Sequence, residues 1–126
     1  MQHRLLVVDD DPGITKLIET LARSVGIETL AINDPEQFEM AVASIKPTII
    51  LLDIVMPGRD GTELIGQLAA GNYPGKIVLM SGADPNYMQM SSKLGSTQGL
   101  MIAAHLSKPF RKQQILDLLS QLGTEL

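Results

Sequence analysis

Three aspartates, Asp9, Asp10 and Asp11, follow directly on the apolar run Leu5–Val8, and a fourth, Asp53, ends the stretch "PTIILLD". Ser81 closes "KIVLMS", and Lys108 stands near the end of "AAHLSKP". Two carboxylates about 4 Å apart repel by roughly 4 kcal/mol at an effective dielectric near 20, so acids brought together by folding demand a cation. An all-oxygen site suits Mg²⁺, which takes one or two carboxylates and completes its shell with water or phosphate. A lysine at the same place adds a second positive charge and a serine adds a donor. Such a set is arranged to stabilise a phosphoryl group carrying charge on three oxygens.

That chemistry requires the acids, the serine and the lysine to meet. Five short apolar runs recur: Leu5–Val8, Ile27–Ile32, Thr48–Leu52, Lys76–Met80 and Leu100–Leu106. Ended by Gly, Pro or Asp, they read as buried strands. The clearest lack in–out alternation, as strands covered on both faces do. Between them lie segments with a 3.6-residue apolar period. Ile14, Leu17, Ile18, Leu21 and Val25 form the first stripe, opened by Asp11 as N-cap and Pro12 and closed by Gly26. Phe38, Ala41, Val42 and Ile45 follow Asp34-Pro35; Leu64, Ile65 and Leu68 follow "RDGTEL", with Asp60 as the expected cap. A looser segment spans about 85–94, and Ile115, Leu118, Leu119 and Leu122 form the last stripe.

The pattern is (βα)₅, an α/β fold with an open, doubly wound parallel sheet and helices on both faces. In such sheets ligands bind outside the carboxyl ends of the strands, near the point where strand order reverses. Asp9 to Asp11, Asp53, Ser81 and Lys108 all fall at those ends. Asn33-Asp34 ends an edge strand and is expected to lie away from the centre.

The bulk properties agree. The 126 residues are 44% hydrophobic and 19% charged, a globular composition without an internal linker or repeat, read as one domain over 1–126. A formal charge of -4 and the absence of any basic run argue against nucleic acid and anionic membranes as partners. Without cysteine there are no disulfides or thiolate metal sites. No apolar stretch approaches the roughly 20 residues that cross a bilayer, and the N-terminus has no signal-peptide core. The expected location is the cytoplasm.

"VVDDDP", "LLDIVMPGRDG", "VLMSG" and "SKPF", in this order, resemble the receiver domain of two-component response regulators, of the chemotaxis-regulator type, over about residues 4–122. The resemblance implies a flavodoxin-like fold with five-stranded order 2-1-3-4-5. It makes Asp53 the phosphoacceptor for a phosphohistidine on a histidine kinase or phosphotransfer protein. Asp9, Asp10 and Asp53, with the backbone carbonyl of Val55, would hold Mg²⁺, Asp10 and Asp53 most directly. Lys108 would pair with Asp53 at rest and with a phosphoryl oxygen afterwards. Ser81, with Gly82 and Ala83 in the same loop, would donate to another phosphoryl oxygen and draw that loop inward. Lys108-Pro109 resembles the family's cis peptide, which would aim the lysine into the site.

Three departures bear on signalling. The family's Tyr or Phe three residues before the lysine is here His105, an imidazole that can swing similarly and change charge near neutral pH. The alternative reading of His105 is an exposed strand residue. The Ser81–Lys108 segment is about five residues longer than is common, with Gly95 and Gly99 as expected breaks. It faintly resembles receivers attached to EAL-type cyclic-di-GMP phosphodiesterase domains. Val55 and Ala83 flank the site in family terms, and both are apolar, which predicts slow loss of the phosphoryl group.

Each residue also has a plain alternative: Asp10 as a second cap, Ser81 as a turn residue, Lys108 as a solvated lysine. Asp11 is read as a cap alone, the seven methionines as core filler and His3 as exposed. Two rival functions stand: a phosphorylation-independent receiver-like interaction module, and an aspartate-nucleophile phosphatase. The latter needs a second Asp two residues after the first, where Val55 stands. The favoured reading is a switch that assists its own phosphoryl transfer rather than a turnover enzyme. It is expected as a monomer or weak dimer acting on a downstream protein or an output domain.

Overall fold

The structure is a computed structural model that describes all residues except Met1, Gly58, Ala83, Asp84 and Leu126; the side chains of Arg59, Asp60, Thr124 and Glu125 are also outside the described set. Five parallel strands form the sheet: β1 Arg4–Val8, β2 Glu28–Ile32, β3 Ile49–Asp53, β4 Lys76–Ser81 and β5 Met101–Ser107. Their order is β2-β1-β3-β4-β5, so the direction of winding reverses between β1 and β3. Helices α1 Pro12–Ser24, α2 Phe38–Ile45, α3 Gly61–Ala70, α4 Pro85–Thr97 and α5 Lys112–Glu125 connect or follow them. Val55–Met56 and Arg59–Asp60 form a short antiparallel pair beyond β3.

Both sheet faces are buried, which explains why the strands lack alternation. Leu6, Val8, Ile50, Leu52, Ile77 and Leu79 face a core completed by Phe38, Leu64, Ile65 and Met88 of α2, α3 and α4. Leu5, Val7, Ile49, Leu51, Val78 and Met80 face Ile18, Ala22, Ile115 and Leu119 of α1 and α5. Each fully buried aliphatic side chain contributes roughly 1.5–3 kcal/mol. Shifting one strand by a residue would exchange its two faces, so the packing on both sides fixes register. That register levels the strand ends: Val8 lies beside Leu52, Asp53 beside Met80, and Ser81 beside Ser107.

Helix termini follow local chemistry. Asp11 accepts a 2.8 Å hydrogen bond from Gly13 N, and Pro12 takes the first turn, where its missing N–H is not needed. After Ser24, Gly26 adopts φ +83° and Ile27 N donates to Ala22 O. Val25, expected on the buried stripe, is 53% exposed because it caps the helix and has left its periodicity. Asp34 caps a 3₁₀ turn, Pro35–Gln37, before α2 begins at Phe38.

Two further expectations are corrected. Gly95 does not break α4; it lies buried inside the helix, and a Cβ there would meet Ile102 Cδ1 at 3.0 Å. Its lack of a side chain lets α4 approach β5, and the chain turns only after Thr97, with Gly99 at φ +93°. His3 is half-buried rather than exposed, with Nε2 3.1 Å from Gly123 O and Nδ1 3.4 Å from Thr48 Oγ1. No described helix is long and apolar enough to cross a membrane.

Candidate functional site

The level strand ends deliver Asp9, Asp53, Ser81 and Lys108 to one rim. Asp9, immediately after β1, is fully buried; its Oδ1 accepts from Asp11 N at 2.9 Å, which folds the Asp9–Asp11 turn back on itself. Asp53 ends β3 at 2% exposure, and its Oδ1 accepts from Val55 N at 3.0 Å. Lys108 reaches across from beyond β5, placing Nζ 2.6 Å from Asp9 Oδ2 and 3.1 Å from Asp53 Oδ2. The lysine thus meets Asp53, as expected, and Asp9 as well. Its own backbone N donates to Ser81 O at 2.9 Å, joining the ends of β4 and β5. The Lys108–Pro109 peptide is cis.

Burial makes this charge arrangement consequential. It pushes the Asp53 carboxyl up to about 6; the Asp9 charge pushes the same way, against the Val55 N–H and the Lys108 ammonium. For Lys108, burial alone would favour the neutral amine, but the hydrogen bond and charge of Asp9, with those of Asp53, outweigh it. The ammonium is held above its ordinary range.

Asp10 is exposed at the mouth of the site, and carboxylate oxygens of Asp9, Asp10 and Asp53 lie within 4.8 Å of one another. Asp9 Oδ2 is buried, and its partner is the Lys108 ammonium at 2.6 Å. Two oxygens on one Mg²⁺, each at about 2.1 Å, sit at most about 4.2 Å apart, so a small contraction of this cluster would accommodate the ion. The hard, all-oxygen donor set fits Mg²⁺.

The other named residues fall as follows. Ser81 is buried at the end of β4. Gly82 follows with a Cβ position 3.6 Å from Lys108 Cβ. Val55 has an exposed side chain and its amide on Asp53. His105 lies on β5 beside Leu79 with its side chain exposed. Ala83 and the side chain of Asp60 fall outside the described residues. Asn33, expected away from the centre, is part of the support: its Nδ2 donates to Asp9 O at 3.0 Å and to Thr15 Oγ1 at 2.8 Å. The strand order holds the reason, since the end of β2 adjoins the end of β1, and Asn33 is the first side chain past it.

A family model described as the response regulator receiver domain matches residues 5–120. The DNA-binding response regulator MtrA of Mycolicibacterium smegmatis is 28% identical over 116 residues, covering 92% of this chain and 48% of its own length. This chain therefore spans about half the length of the MtrA relatives it matches. Sporulation initiation phosphotransferase F of Bacillus subtilis is 27% identical over 118 residues, covering 93% and 90% of the two chains. A solved response regulator from Colwellia psychrerythraea superposes with TM-score 0.86 at 28% identity, covering 100% of both chains. The family match runs through all five strand ends that build the rim, and on that ground the chain belongs to the response regulator receiver domains, the phosphoacceptor switches of two-component signalling.

Proposed function

We propose that Asp53 accepts a phosphoryl group, in a magnesium-dependent reaction, from a phosphohistidine on a histidine kinase or phosphotransfer protein. The observation that carries this reading is the convergence of Asp9, Asp10 and Asp53 oxygens within 4.8 Å, with Lys108 Nζ 3.1 Å from Asp53. A carboxylate oxygen of Asp53 attacks phosphorus as the bond from phosphorus to the histidine nitrogen breaks. The electron pair leaves with the imidazole, which takes up a proton, and an acyl phosphate remains on Asp53.

The residues divide the work. The Val55 amide and the Lys108 ammonium hold one Asp53 oxygen each, which fixes the plane of the nucleophile. Asp9, Asp10, Asp53 and the Val55 carbonyl would hold Mg²⁺. When bound, the ion supplies charge neutralisation for the transferring phosphoryl oxygens. Lys108 then passes from the carboxylate to a phosphoryl oxygen, and Ser81 donates its hydroxyl to another. The hydrogen bond from Lys108 N to Ser81 O couples these two movements. Phosphorylation biases a pre-existing equilibrium through these contacts.

The product stays covalently on the chain, so the domain over 1–126 acts as a cytoplasmic switch rather than a turnover enzyme. The signal passes to a downstream protein or an output domain, for which an EAL-type module is one form. His105, exposed on β5, is a candidate switch residue. Beryllofluoride with Mg²⁺, followed by NMR, tests this reading. Shifts should concentrate at Asp9–Asp11, Asp53–Val55, Ser81–Gly82 and Lys108, and disappear in Asp53→Asn. An unchanged wild-type spectrum would refute it.

A further inference from the structure

At the opposite rim, where the strands begin, a cavity of about 540 Å³ opens between the C-terminal ends of α2 and α3. Thr48 on its wall lies about 16 Å from Asp53 along β3, so the cavity is separate from the phosphoacceptor site. Its volume falls in the range of small-molecule sites. Val42, Leu68 and Tyr73 contribute to largely apolar walls. Arg4 and Lys46 also line it, and no acid does, in a chain whose formal net charge is -4.

Arg4 alternates onto the same face of β1 as Leu6 and Val8, the face that α2 and α3 cover. Its side chain therefore points to the side of the sheet on which the cavity opens. Nε donates to Ile45 O and Nη2 to Lys46 O, both at 2.8 Å, which fixes the guanidinium against the end of α2. Nη1 is left without a partner among the described residues. Burial pushes the Tyr73 hydroxyl up and the Arg4 charge opposes it, so the guanidinium stands close to the aromatic wall of the cavity. Lys46 is exposed and has no ion pair with a described residue. Glu28, beside Arg4 across the ladder, makes none with it either. The macrodipoles of α2 and α3 bring about half a negative charge each to this rim, against two full positive charges.

We propose that this cavity binds a small organic anion, a compact apolar body carrying one carboxylate. The apolar walls take the body, and the Arg4 guanidinium with the Lys46 ammonium takes the carboxylate. The guanidinium is held in place before the ligand arrives, so little ordering of that side chain accompanies binding. The proposal is independent of the phosphoacceptor reading.

Titrating the full chain with 3-phenylpropionate, followed by ¹⁵N NMR, tests it. Shifts should centre on Val42, Lys46, Thr48, Leu68 and Tyr73. The dissociation constant should be about fivefold lower for 3-phenylpropionate than for 3-phenylpropanamide, which has the same shape without the charge. Acetate, which keeps the carboxylate and lacks the body, should bind far more weakly. Lys46→Glu, a change at an exposed side chain, should bring the anion and the amide to parity; if that variant does not fold, the wild-type comparisons decide alone. Shifts absent from these residues at millimolar 3-phenylpropionate, an amide that binds as tightly as the anion, acetate that binds as tightly as 3-phenylpropionate, or a preference unchanged in Lys46→Glu would each overturn the proposal.

Discussion

Lys108 Nζ lies closer to Asp9 than to Asp53, at 2.6 Å against 3.1 Å. The lysine is therefore the cation that keeps two buried acids compatible, in addition to any role toward a phosphoryl group. Lys108→Met, similar in length and uncharged, leaves both acids without it. Removing one partner of a buried ion pair costs about 3–5 kcal/mol. The expected loss in urea unfolding is near the lower figure without Mg²⁺ and smaller with it, since the ion would replace part of the missing charge. Equal losses in both conditions would separate the lysine from the metal site.

The raised Asp53 carboxyl gives stability a definite slope with pH. A group whose folded value, about 6, exceeds its ordinary value of 3.8 stabilises the fold fully below the ordinary value. That contribution is lost as pH rises through about 6. Without Mg²⁺, the wild type should therefore lose stability between these limits relative to Asp53→Asn, which lacks the titrating group. Above pH 7 the variant should be the more stable of the two, and Mg²⁺ should narrow the difference. Chemical denaturation at a series of pH values reads this directly, and parallel curves for the two proteins would contradict it.

Two glycines of α3 should respond oppositely to the same change. At Gly61 a Cβ would collide with the Ile54 backbone and lie 2.7 Å from Ile54 Cβ, directly after the nucleophile. Gly61→Ala should destabilise by about 1–3 kcal/mol, as overpacking does, and displace the Val55 amide resonance. At Gly66 nothing lies within 4 Å of the added carbon. Gly66→Ala should stabilise by about 0.5–1 kcal/mol through helix propensity alone. Thermal unfolding of both variants distinguishes the cases.

Asn33 holds the carbonyl of Asp9, so its loss should loosen the acid turn without touching an acid. Asn33→Ala is expected to weaken Mg²⁺ binding about tenfold, the scale for groups that orient ligands, with the fold unchanged by NMR. Undiminished affinity by calorimetry would reduce Asn33 to a strand-end brace.

The sheet and rim were legible in the sequence because their signals are local and redundant. Unalternated apolar runs mark strands buried on both faces, and "VVDDDP", "TIILLD", "VLMS" and "SKP" each end one. What escaped depends on neighbours distant in sequence. Asn33 looks peripheral until β2 is placed beside β1. Gly95 looks like a break until Ile102 is seen to fill the space above it. His3 looks exposed until α5 returns to bring Gly123 within 3.1 Å. Val25 has the right spacing for the stripe, but a cap one residue past the helix obeys no periodicity. The double pairing of Lys108 was likewise invisible, because spacing shows that a lysine reaches the rim and not which oxygen it meets.

The most direct measurement is to incubate the chain with acetyl phosphate and Mg²⁺, take the intact mass, and map the modified peptide. The expected result is one added phosphoryl group on the segment containing Asp53, absent when Mg²⁺ is chelated and absent in Asp53→Asn. A phosphoryl group that forms at the same rate in Asp53→Asn, or without magnesium, would contradict the central claim.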